Sequence, residues 1–187
     1  MAMPDTTGNW TVAMLDALPE DGQRYEIIDG VLYVTPAPRV RHQHVVTLLA
    51  AKLVPYVDRA GGAIVLVAPT DVRKGEHTSV QPDILVVRLD ESGRVAVPIQ
   101  PRDLPLAIEV PSVGTARTDR QDKRVLYQGE GVAEYWIVDA DSWVIERWRP
   151  GDQRPEVLSQ RLDWQCAGAE TPLTIDLPSF FGAVIRD

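Results

Sequence analysis

Two runs of the sequence restrict the fold more than any others: Asp83-Ile84-Leu85-Val86-Val87 and Leu104-Pro105-Leu106-Ala107-Ile108-Glu109-Val110. Short, nearly continuous aliphatic runs read as strands inside a sheet that is covered on both faces. Side chains alternate along a strand, so Asp83 shares a face with Leu85 and Val87, and Glu109 shares a face with Ala107. Each strand therefore carries a carboxylate at the margin of an apolar surface. Such a charge, left without a partner, costs several kcal/mol or shifts its own pKa upward. A cation, a hydrogen-bonding cage or solvent has to meet each acid.

One divalent metal would meet both, because Mg²⁺ prefers oxygen ligands from one or two carboxylates together with waters and phosphate. Taken singly, each acid has an ordinary explanation. Asp83 can cap a turn after Pro82, and Glu109 can pair with an arginine at a strand end.

The rest of the chain supplies elements to surround these strands. A short helix is expected near Thr11 to Leu18. Arg24 to Val34 is interrupted by Asp29-Gly30, a dipeptide that favours the positive φ angles of a tight hairpin turn. Val40 to Val57 spaces Val45, Leu48, Leu49, Lys52, Leu53, Tyr56 and Val57 as one stripe of a long helix, and Gly61-Gly62 ends it. Further strands are expected at Ala63 to Ala68, Glu134 to Val138, Trp143 to Trp148, Glu156 to Leu158 and Leu173 to Ile175, the last three forming a meander. Thr115 to Gln128 reads as a polar helix stopped by Gly129. The order implies an α/β (α+β) protein with a mixed sheet and helices on its faces, organised as a single domain over 1–187.

Composition removes several functions. The formal charge of -8, from 19 basic and 27 acidic residues, argues against coating DNA by phosphate neutralisation, though local basic contacts stay open. The single cysteine, Cys166, excludes an internal disulfide and any thiolate-rich zinc site, and reads as a small packed thiol. No basic-then-apolar leader and no membrane-length apolar run is present, so a cytoplasmic protein is expected.

On the polar helix, Asp119, Lys123 and Tyr127 follow at intervals of four and share one face. The plain alternative is an exposed Asp119–Lys123 pair worth a few tenths of a kcal/mol. Glu26, on the hairpin, is a third acid that alternation separates from Tyr25 and Ile27. His42 and His44 are two apart and point away from each other on a helix, so a helix-start or surface role is expected for both. His77 reads as solvated. Neither Ser79 nor Ser112 has a nucleophile-elbow context. Trp136, Trp143 and Trp148 can stack bases in principle, but in alternating strands they read first as packing.

Taken in order, Tyr25-Glu26-Ile27-Ile28-Asp29-Gly30, His42, Pro82-Asp83, Ile108-Glu109-Val110-Pro111-Ser112, Asp119 with Lys123 and Tyr127, and Gly131-Val132-Ala133-Glu134-Tyr135-Trp136-Ile137-Val138-Asp139 resemble the Uma-type family of putative restriction endonucleases, within the PD-(D/E)XK nuclease superfamily. The resemblance implies a restriction-endonuclease-like mixed sheet flanked by helices, with a C-terminal β meander. It implies a Mg²⁺- or Mn²⁺-dependent endonuclease acting on DNA, with Asp83 and Glu109 as metal ligands, Glu26 as an auxiliary acid and Lys123 as the basic group. A homodimer is implied by superfamily habit. Arg117, Arg120, Arg124 and Tyr127, with Arg39 and Arg41, are the candidates for contacting a DNA backbone, the alternative being that such arginines only solvate a helix. The superfamily usually sets its lysine two residues after the second acid, where this chain has Pro111, which offers neither charge nor backbone donor. Val113, often proline in the family, is a second local departure. Two other readings stand beside the enzyme: a catalytically silent nuclease fold serving as a binding module, and acids that hold a metal only to stabilise the fold.

Overall fold

The computed structural model describes residues 3–5, 8–19, 21–35, 37–112 and 114–185, with backbone only for 3–5; Val113 lies outside the described residues. From the amino terminus, β1 (Met3–Asp5) is followed by α1 (Val12–Leu15), β2 (Arg24–Ile28) and β3 (Val31–Thr35). The first helix is shorter than expected. The Thr11 side chain caps it by accepting from the Met14 N–H, and beyond Asp16 the chain tightens into an Ala17 N–H to Met14 carbonyl bond. The hairpin turns at Asp29 (φ 49°) and Gly30 (φ 83°), with Ile28 facing Val31. Positive φ at both central residues is what a two-residue hairpin needs to match strand twist.

The long helix α2 (Val40–Ala60) buries Val45, Leu49, Leu53 and Val57 completely, while Lys52 of the expected stripe is exposed. Then come β4 (Ala63–Val67), β5 (Val72–Lys74), β6 (Thr78–Val80), β7 (Ile84–Arg88) and β8 (Leu106–Glu109). The polar helix comprises α3 (Ala116–Thr118), a π-helical segment (Asp119–Lys123) and α4 (Arg124–Gly129). The chain closes with β9 (Glu134–Asp139), β10 (Val144–Trp148), β11 (Glu156–Leu158), β12 (Arg161–Trp164), β13 (Leu173–Asp176) and α5 (Leu177–Gly182). Trp143 falls in the turn before β10 instead of beginning that strand, and Leu104 and Val110 flank β8 instead of belonging to it.

The larger sheet runs β11-β10-β9-β8-β7-β4 and is antiparallel apart from the parallel pair β8–β9. Ile84, Val86, Leu106, Ile108, Trp136 and Val138 face α2 and the C-terminal elements. Leu85, Val87, Ala107, Tyr135 and Ile137 face Leu126 and Tyr127 of α4 and, from the smaller sheet, Ile28, Val72 and Val80. Both faces are covered, which is why these strands read as unbroken aliphatic runs. The smaller sheet runs β1-β3-β2-β6-β5. The result is a mixed α+β fold with a C-terminal set of strands.

The parallel pair positions the site. Strands joined in parallel need a crossover, and here the crossover is the 116–129 helix, which leaves the sheet just after Glu109 and returns at Glu134.

Candidate functional site

In the register of β7 and β8, Ile84 faces Ile108; continued by one residue on each strand, it sets Asp83 across from Glu109. The two acids thus mark the same end of the sheet. Their exposures are 2% and 1%, so both charges depend on protein partners.

Asp83 is held by three donors. Its Oδ1 accepts from Arg24 Nη1 at 2.8 Å, and its Oδ2 accepts from the Val110 N–H at 2.8 Å and lies 3.0 Å from His42 Nε2. Burial opposes ionisation of this carboxyl, but the His42 hydrogen bond, the Arg24 guanidinium and the Val110 N–H outweigh it and hold Asp83 well below the usual carboxylate range. His42 does lie at the start of α2, but its ring contacts Asp83 instead of facing solvent. The first turn of α2 brings the ring to the sheet end, a tertiary proximity that no local spacing encodes.

Glu109 has a different environment. Its Oε1 accepts from Lys123 Nζ at 2.8 Å. The same ammonium lies 2.8 Å from Glu26 Oε1 and 3.8 Å from Asp119 Oδ1. Burial, opposed by Lys123 and reinforced by the neighbouring acids, pushes Glu109 well above its ordinary value. Asp119 is pushed up to about 6 by burial, against the pull of Lys123. Lys123, only 2% exposed, is kept firmly protonated: burial disfavours its charge, but Glu109, Glu26 and Asp119 more than compensate. Glu26 also accepts the Gln81 N–H at 2.7 Å, and Arg24 Nε lies 3.8 Å from its Oε2.

Asp119, Lys123 and Tyr127 thus lie together on the buried face of the crossover helix, and the exposed Asp119–Lys123 pair is excluded by their burial. The π segment widens the turn between Asp119 and Lys123; such segments occur chiefly as single turns and often at functional sites. The Tyr127 hydroxyl is buried with no hydrogen-bond partner among the described residues, and burial beside Glu109 and Glu26 pushes its pKa well up.

Apart from Arg39, which is exposed, the candidate arginines have intramolecular partners. Arg117 donates to Gln121, Arg120 pairs with Asp139 and Glu146, and Arg124 donates to Gln128 and lies over the Trp148 ring. Arg41 pairs with Asp141. Pro111 follows Val110 at the sheet end. Sequence reading missed Arg24 and the Asp83 contact of His42; Arg24 had a faint signal, being two residues before Glu26 on a strand and so on its face.

Among the described residues no three His, Cys, Asp or Glu side chains converge as a ready-made metal cage. The donor set nonetheless fits a hard cation. Glu26, Asp83, Glu109 and Asp119 outnumber the permanent cations Arg24 and Lys123, and the neighbouring acids add to the burial that raises Glu109 and Asp119. Carboxylate oxygens completed by water and phosphate are what Mg²⁺ takes.

A mixed sheet with acids at one end of adjacent strands, roofed by a crossover helix whose Lys123 pairs with one of them, defines a restriction-endonuclease-like α+β protein. The crystal structure of a "putative nuclease belonging to DUF820" from Anabaena variabilis has this fold, with a TM-score of 0.76 at 21% identity, covering 94% of this chain and 99% of that one. The chain belongs to the Uma2 family, described as "Putative restriction endonuclease", whose model matches residues 12–178. No curated protein matches it.

Proposed function

We propose that the protein is a metal-dependent endonuclease that hydrolyses DNA phosphodiester bonds as one domain, with Mg²⁺ or Mn²⁺ held by Asp83 and Glu109. The observation that carries this reading is the buried excess of carboxylate around Lys123 at the end of β7 and β8. A bound divalent ion supplies Lewis acidity to the phosphate and lowers the pKa of an attached water. The chain's own residues do the rest. His42, Arg24 and the Val110 N–H keep Asp83 ionised and oriented as an oxygen ligand. Lys123 holds Glu109 and Glu26 in place, and its ammonium offsets negative charge developing on the phosphate. Arg117, Arg120 and Arg124 are assigned to the DNA backbone, Tyr127 is withdrawn from that role because its side chain is completely buried, and the enzyme acts as a homodimer in the cytoplasm. No helix among the described residues is long and apolar enough to cross a membrane.

Incubation of plasmid with the purified protein in Mg²⁺ or Mn²⁺ tests the reading. Cleavage is expected, and is expected to vanish in Asp83→Ala and Glu109→Ala variants that stay folded. Absence of metal binding by calorimetry overturns it.

One observation favours a second reading. Pro111 stands where the superfamily usually has its lysine, and Lys123 is wholly engaged by carboxylates, as suits a silent binding module; DNA binding without cleavage in any divalent ion would select it. Acids that only stabilise the fold would show as a melting temperature lowered by chelator in a protein without nuclease activity.

A further inference from the structure

The three candidate stacking tryptophans separate cleanly by environment. Trp136 is fully buried in the core, and Trp148 is 8% exposed beneath the Arg124 guanidinium. Trp143 is 41% exposed, at the last position of the four-residue turn 140–143 between β9 and β10.

Its backbone is unusual. Trp143 has φ +57°, the left-handed region where a residue bearing a Cβ is disfavoured and glycine or asparagine is the ordinary occupant. Neither backbone preference nor full burial explains a tryptophan there. The ring lies nearly parallel to that of Phe181, with centroids 6.1 Å apart and planes 20° apart, so it has a rigid backing while much of it faces solvent.

The turn is also fixed in place. Asp139 Oδ1 accepts the N–H groups of Asp141 and Ser142, each at 3.0 Å, and Asp139 Oδ2 accepts from Arg120 of the crossover helix at 3.0 Å. From α2, Arg41 donates to the Ala140 carbonyl at 2.7 Å and pairs with Asp141. The next residue, His42, contacts Asp83. Topology puts this turn at the acidic end of the sheet. In the parallel pair Glu109 faces Ile137, so β9 ends at Asp139, about 7 Å further along the strand direction. The turn therefore projects past the edge marked by Asp83 and Glu109, between two elements that hold the site.

We infer that Trp143 is a stacking platform for an unpaired nucleobase of the strand held at the acid site. The inference rests on the DNA reading above and adds a base-stacking subsite to it. Every base has a π-face, so such a contact favours single-stranded or locally opened DNA without selecting a sequence.

The test uses anisotropy of a fluorescein-labelled single-stranded DNA oligonucleotide in chelator, so that binding is read without cleavage. Trp143→Ala is expected to weaken binding about tenfold and Trp143→Phe to restore most of it, as loss and repair of one stacked base would do. An oligonucleotide of the same length lacking bases is expected to bind the native protein and Trp143→Ala equally. Urea unfolding of both variants separates stacking on DNA from packing on Phe181. Unchanged oligonucleotide affinity in Trp143→Ala overturns the platform, as does an equal loss on the abasic strand. Plasmid cleavage by the native protein in Mn²⁺ is scored separately. Cleavage with unchanged Trp143→Ala binding sinks the platform alone, whereas neither cleavage nor DNA binding sinks the nuclease reading with it.

Discussion

Lys123 Nζ lies 2.8 Å from Glu109 Oε1, and both side chains are almost completely withdrawn from solvent. The pair joins the crossover helix to the end of the strand it has just left. Removing one partner strands the other in a low-dielectric interior, and breaking such pairs typically costs about 3–5 kcal/mol. Lys123→Met is expected to destabilise the protein in that range by urea unfolding. Mn²⁺ is expected to restore more stability to this variant than to the native protein, because three acids have lost their shared cation. Equal Mn²⁺ stabilisation of both proteins would contradict the charge excess inferred for the site.

Asp119 gives the pH dependence a definite sign. Its pKa in the folded protein is about 6, above the ordinary 3.8, so between these values the folded state binds more protons than the unfolded one. Stability from this group is fully present below about 3.8 and is lost as pH rises through about 6, with a slope of at most about 1.4 kcal/mol per pH unit. Unfolding midpoints across this window are expected to fall with rising pH, and Asp119→Asn is expected to flatten the profile. A slope unaltered by Asp119→Asn would assign the window to another group.

Arg24 and Asp83 act in the opposite direction. Asp83 sits below its ordinary value, so its stabilisation is present above the unfolded pKa and disappears as pH falls through the folded one. In Arg24→Met the carboxyl keeps His42 and the Val110 N–H but loses the guanidinium. The acid limb of the stability profile, read as urea unfolding midpoints against pH, is expected to begin at higher pH in this variant.

The parts of this site legible in the sequence were those written in local pattern. Asp83 and Glu109 stood out against aliphatic runs, Asp29-Gly30 announced its turn, and the Asp119, Lys123 and Tyr127 spacing placed three side chains on what proved a buried face. Two later elements had signals that are plain in retrospect. Leu162 and Trp164 alternate along β12, and Asp176 followed by Leu177-Pro178 caps the start of α5. Three-residue strands such as β5 and β6 carry no periodicity to detect, and nothing in Asp119-Arg120-Gln121-Asp122-Lys123 marks a π-helical turn. The His42 contact with Asp83 has no local signal, because it depends on α2 docking beside β7, more than 40 residues away in sequence.

Tyr127 provides a test that separates fold from function at one atom. Its hydroxyl is buried, with no hydrogen-bond partner among the described residues, so the group lost its hydration on folding and regained nothing from those residues. An unsatisfied buried polar group typically costs about 1–3 kcal/mol. Tyr127→Phe keeps the ring against Tyr135, 4.8 Å between centroids, and removes only the hydroxyl. The melting temperature is expected to hold or rise. If the hydroxyl serves an attacking water at the acid site, the same variant is expected to cleave plasmid at least about tenfold more slowly in Mn²⁺, the scale of a lost transition-state hydrogen bond. A raised melting temperature with undiminished cleavage would make Tyr127 a packing residue, whereas a stable but slow enzyme would make its hydroxyl part of the site.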